Sequence, residues 1–119
     1  MNKDPIITMT PPDRTEDDVQ IKSILQKEDL KGSIVLISPG AIYDESPRTK
    51  DRVVFVIQGE VMAEVDELFY LLGQEEALQV EHGKALSLRN RSTEPAKIFH
   101  LDLPARVETS EPLLVFPGR

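Results

Sequence analysis

The chain is 119 residues long, has no cysteine, and sets 21 acidic against 14 basic side chains for a formal net charge of -7. That length fits a single domain with one core, and the absence of thiols excludes disulfides, a thiolate nucleophile and any cysteine metal site. The negative balance repels a phosphate backbone, so nucleic acid is not an expected partner.

At the N-terminus, Met1 to Ile7 supplies no apolar run long enough for a signal peptide. Nowhere does the chain approach the roughly 20 apolar residues that cross a bilayer, so no membrane partner is expected and a soluble, cytoplasmic protein is. Residues 1–18 combine Pro5, Pro11 and Pro12 with the polar run Asp13 to Asp18. Such a composition buries little and reads as a flexible arm, although Ile6, Ile7 and Met9 could lay it along a sheet. Residues 19–119 read as the one folded domain.

From Val19 onward the pattern is one of short strands broken by turns, with Val19 and Ile21 alternating against Gln20 and Lys22. Ser23 to Leu30 fits either more strand or a helical turn. Ser33 to Ser38 lies between Gly32 and Pro39-Gly40 and reads as a buried strand. Asp44 to Asp51, which contains Pro47, reads as a polar loop, and Val53 to Gln58 is a second buried strand closed by Gly59. Further strands are expected at Glu60 to Val65, Leu68 to Leu72, Ala77 to Val80, Ala85 to Asn90 and Ala96 to Leu103. Even spacing without a long periodic helix argues for an all-β antiparallel sandwich or barrel. Because Val53 to Ile57 is apolar at every position, its outer side needs a cover. The arm, the Leu113 to Phe116 tail or a second subunit could supply it, and a homodimer is the expectation.

The stretch from Gly40 to Asn90 resembles the two sequence motifs of the cupin superfamily. Gly40 and Gly59 stand at the separation of the first motif, which places Ser46 and Arg48 where its two histidines fall and Arg52 where its glutamate falls. In the second motif Gly83 and Asn90 match, Glu75 and Glu81 replace the first glycine and the proline, and Leu86 takes the place of the third histidine. Fifteen residues, Glu60 to Gln74, separate the motifs, as in compact bacterial members. The resemblance covers about half the chain, and most of Val19 to Leu103 with the flanking strands. It implies a cupin-type double-stranded β-helix, a jelly-roll barrel, whose metal ligands are gone.

A cupin metal site needs about three imidazoles and a carboxylate, and the sequence holds only His82 and His100. No metal and no cofactor is therefore expected. Asp44, Glu45, Glu75 and Glu76 could form a carboxylate site, but their spacing does not favour one. Alternation puts Leu86, Leu88 and Asn90 on one face, with Leu86 pointing inward. Arg48 and Arg52, if they point inward too, need an anion or an acidic side chain beside them. If the loop swings them out, Arg52 would pair with a surface carboxylate such as Glu75.

Two functional readings follow. In the first, a metal-free barrel binds a small organic ligand, possibly an anion gripped by the guanidinium forks, or serves as a scaffold. Arg48, Arg52, Phe55, Gln58, Leu86, Leu88 and Asn90 would line or rim the cavity. In the alternative, which the resemblance to metal-independent sugar epimerases implies, the chain is an isomerase or epimerase on a sugar-type substrate. His100 would be its base, with Asp102 two residues along on the same face as the acidic partner. His82, beside Gly83, reads as an exposed turn histidine.

Overall fold

The computed structural model describes residues 14–16, 18–104 and 115–116, with side chains described for 18–104. Among these residues there is no helix, and every strand pairing is antiparallel. The strands in chain order are β1 (Arg14–Glu16), β2 (Val19–Lys27), β3 (Leu30–Ile37), β4 (Ile42–Glu45), β5 (Asp51–Gln58), β6 (Val61–Val65), β7 (Leu68–Leu72), β8 (Ala77–Val80), β9 (Leu86–Arg89), β10 (Ala96–Leu103) and β11 (Val115–Phe116). They form a seven-stranded sheet, β1-β2-β3-β10-β5-β8-β11, facing a four-stranded one, β4-β9-β6-β7. This is the all-β jelly roll expected from the sequence.

The ambiguous stretch after Ser23 is strand. β2 continues to Lys27 and takes one extra residue between Ser23 and Leu25 relative to β3. Two findings correct the sequence reading. Ile42 to Glu45, placed within or beside a polar loop, is strand β4, paired with β9. Part of the supposed arm, Arg14 to Glu16, pairs with β2. Residues 1–13 of that arm, and Leu113 and Leu114 of the tail, lie outside the described residues.

Alternation accounts for the core. Along β5, Val54 and Val56 point inward and are fully buried, as are Ile37, Ile98, Leu78 and Val80 from the same sheet and Ala63, Val65, Leu72 and Leu88 from the facing one. The outer side of the same strand carries Val53, Phe55 and Ile57, which are half-buried. Phe55 stands opposite Phe99, which stands opposite Ile34, and Val53 stands opposite Leu101. Gly32 makes room for this outer row, because a Cβ there would sit 3.2 Å from the Phe99 ring. The large exposed apolar side chains of sheet edge β7 are Leu68, Phe69 and Leu71.

The turns explain why the spacing of the motifs survived. Gly59 has φ +89, and a Cβ on it would lie 2.8 Å from the Pro95 carbonyl oxygen, so both the backbone conformation and the close approach require glycine. Glu75, which replaces a motif glycine, nevertheless adopts φ +68. Asn90, fully buried, donates through Nδ2 to the carbonyls of Ile37 and Glu94, and its Oδ1 accepts from the backbone and hydroxyl of Ser92. Together with the reciprocal backbone bonds Gly40 to Asn90 and Asn90 to Ala41, it staples one end of the barrel shut.

Candidate ligand pocket at the open end of the barrel

Cross-strand register arranges the inward face of the large sheet into rows that grade from apolar to polar. Val35, Ile98 and Val56 form one row, Ser33, His100 and Val54 the next, and Lys31, Asp102 and Arg52 the last. The four-stranded sheet answers with Tyr43 and Glu45 on the inward side of β4. Packing fills the apolar end, and the polar rows line a cavity of about 310 Å³ bounded by Ile21, Ser23, Lys31, Ser33, Val35, Tyr43, Glu45, Arg48, His100 and Asp102.

Glu45 is the hub. Its Oε1 accepts from Arg52 Nη1 at 2.9 Å and lies 2.9 Å from His100 Nε2, while its Oε2 accepts from the Tyr43 hydroxyl at 2.5 Å and from Arg48 Nη2 at 2.7 Å. Burial opposes ionisation and is the largest single influence on this carboxyl. The hydrogen bond and charge of His100, the hydrogen bond of Tyr43 and the charge of Arg48 together outweigh it, bringing the pKa from the ordinary 4.5 to about 2. Glu45 is therefore a carboxylate with its acceptor sites taken.

Around this hub, Arg48 bridges to a second carboxylate, donating from Nη1 to Asp102 Oδ2 at 2.9 Å. Arg52 is 0% exposed and also donates from Nη2 to the Lys84 carbonyl, while its Nε has no acceptor among the described residues. His100 stands edge-on to the Tyr43 ring, with centroids 6.4 Å apart at 84°. Its Nδ1 lies 3.8 Å from Asp102 Oδ1, beyond hydrogen-bond range.

The expected site residues are dispersed rather than gathered. Of the seven proposed to line or rim the cavity, Arg48 lines this pocket. Arg52 points inward as one reading required, but it is sealed behind Glu45; the alternative of a solvent-facing Arg52 paired with Glu75 is corrected by its complete burial. Phe55 faces outward, because its neighbours Val54 and Val56 take the inward positions. Gln58 is exposed at the strand end. Leu86 and Leu88 point inward but belong to the packed core, and Asn90 is the staple described above. Asp44 and Glu75 are exposed, so no four-carboxylate site forms. His82 is exposed in its turn as expected, though its Nδ1 and backbone amide both meet Asp51 Oδ1.

The donor set does not fit a cupin metal. Ser46 is exposed, Leu86 is hydrocarbon in the core, and two guanidinium groups converge on the buried carboxylate. Among the described residues no group of three or more His, Asp or Glu is placed to hold an ion. Nor is any helix there long and apolar enough to cross a membrane.

No family model matches the sequence, and no curated protein matches it. Solved structures do. The Schizosaccharomyces pombe Cnp3 cupin domain superimposes with a TM-score of 0.70 at 14% identity, over 75% of this chain and 66% of that one, so the chain spans just under two thirds of it. The Cupin_2 domain of an XRE family transcriptional regulator from Enterobacter cloacae gives 0.69 at 20% identity, over 75% and 99%. KdgF from Halomonas sp. gives 0.69 at 20%, over 78% and 86%. The likeness lies in the backbone: this chain has the cupin fold, a jelly-roll barrel with a guanidinium-neutralised carboxylate at its polar end.

Proposed function

We propose that the barrel works without a metal and binds a small organic anion in the 310 Å³ pocket. The observation that carries this reading is Lys31. It lines the pocket beside a network that neutralises itself internally, and no ion pair is found for it among the described residues. Arg48 and Arg52 are paired with the carboxylates of Glu45 and Asp102, and Lys31 stands beside Asp102 on the next strand, which leaves one positive charge in excess before His100 is counted. Lys31 is exposed at the rim of the pocket and Arg48 is partly so, and there such an excess attracts an anionic guest from solution.

The isomerase or epimerase alternative is less well supported. His100 Nε2 is occupied by Glu45, and Nδ1 faces Asp102 rather than the pocket mouth. Glu45, held as a carboxylate at a pKa of about 2, is too weak a base to abstract a carbon-bound proton at neutral pH.

Thermal shift against small carboxylates, sugar phosphates and nucleotides tests the binding reading. An authentic ligand at 100 times its Kd should add about 2.7 kcal/mol of stability. In Lys31→Ala the affinity should fall about tenfold, as expected for loss of a charged hydrogen bond. A shift that survives Lys31→Ala unchanged, or no shift with any anion, would overturn the reading.

We further propose a cytoplasmic homodimer joined through the outer row of the large sheet, where Val53, Phe55, Ile57, Phe99 and Leu101 are too apolar for a solvated face. Light scattering should give twice the chain mass for the wild type and the monomer mass for Phe99→Glu. If Phe69→Glu, on the exposed edge of the small sheet, dissociates the dimer instead, the face is wrongly assigned.

A further inference from the structure

One atom of the pocket is left over when its hydrogen bonds are accounted for. Asp102 is 6% exposed, and its Oδ2 is taken by Arg48, yet its Oδ1 has no hydrogen-bond partner among the described residues. The nearest ion-pair nitrogen, His100 Nδ1, stands 3.8 Å away. A buried carboxylate oxygen without a donor is costly to keep out of water, and such an atom in a native site calls for an explanation, of which a donor brought by a ligand is one.

Asp102 lines the pocket, and its direct cross-strand neighbour on β3 is Lys31, the cation without an ion-pair partner among the described residues. An acceptor lacking a donor and a cation lacking an anion thus stand on adjacent strands, with Arg48 and its partly exposed guanidinium beside them. A simple carboxylate satisfies only the cation. A neutral alcohol satisfies only the acceptor.

We propose that the ligand is a small hydroxycarboxylate, its carboxylate held by Lys31 and Arg48 and a neighbouring hydroxyl donating to Asp102 Oδ1. This rests on the anion-binding reading above and narrows it to one chemical class. The pocket volume, at the low end of ligand sites, suits an acid of a few carbons. Arg48 ties the two ends together: it holds Asp102 Oδ2 from one side and Glu45 from the other, so the acceptor is fixed before the ligand enters.

Isothermal calorimetry on the full chain with matched acids tests this. The probes are lactate against propionate and 2-methoxypropionate, and malate against succinate. The hydroxy acid should bind about tenfold or more tightly than its deoxy partner, as expected for one hydrogen bond to a charged acceptor. The methoxy ether, which accepts but cannot donate, should be rejected as strongly as the deoxy acid. Asp102→Asn, which can present an amide donor at the same place, should remove the penalty on the ether. If hydroxy, deoxy and methoxy acids bind alike, the hydroxycarboxylate assignment is wrong while anion binding stands. If none of them binds and no other anion does, both fail. Should Asp102→Asn not fold, the comparison of the three acids on the wild type still decides.

Discussion

Glu45→Ala is expected to destabilise the protein by about 3–5 kcal/mol, the range seen when one partner of a buried ion pair is removed. The size of the effect comes from what stays behind. Arg52 is completely buried, its Nη1 hydrogen bond ends on Glu45 Oε1, and its Nε already lacks an acceptor among the described residues. Without the carboxylate, the guanidinium would be a buried charge with only the Lys84 carbonyl for support. Replacing both residues should therefore cost much less than the sum of the two single changes. Denaturant titrations of Glu45→Ala, Arg52→Met and the double variant form a cycle, and a coupling of about 2–3 kcal/mol is expected. Additive single effects would show that Arg52 does not depend on Glu45.

The second large effect is a loss of stability in acid. Because the Glu45 carboxyl sits at about 2 rather than 4.5, the folded chain binds this proton more weakly than the unfolded chain does. The resulting stabilisation is fully present above about pH 4.5 and disappears as the pH falls through about 2, a total of about 3 kcal/mol. Other carboxylates titrate over the same range, so the informative quantity is the difference between wild type and Glu45→Gln. That difference should shrink by about 3 kcal/mol between pH 5 and pH 2. A difference that stays constant with pH would mean that Glu45 is not held as an ion by its neighbours.

The barrel was legible in the chain because its signals are local. Alternation in Val19 to Lys22, the glycines at positions 40, 59 and 83, and the closing turns each declare themselves within a few residues, and all three glycines have positive φ in the structure. The inward direction of Leu86 followed from the same period of two. The site was less legible. Nothing local distinguishes its hub, Glu45, from the neighbouring acidic residues, since Asp44 to Asp51 reads as a polar loop. The signal that could have found it is the pair Tyr43 and Glu45 on alternate positions after Ile42, a short strand with a buried carboxylate.

His100 was singled out, but its facing direction depends on pairing with β3 and β5, which no local pattern encodes. Lys31 was missed for the same reason, because only the register of β3 against β10 sets it beside Asp102. Phe55 and Gln58, expected to line or rim the cavity, do not: parity turns Phe55 to the outer side and the strand ends at Gln58.

The cation that meets Glu45 most deeply is part of the polypeptide. It is delivered by the ribosome in a fixed ratio of one per chain, it cannot be stripped by a chelator or swapped for a competing ion, and it has no oxidation state to change. Whatever the cell's supply of iron or manganese, the charge at the heart of this barrel is always in place.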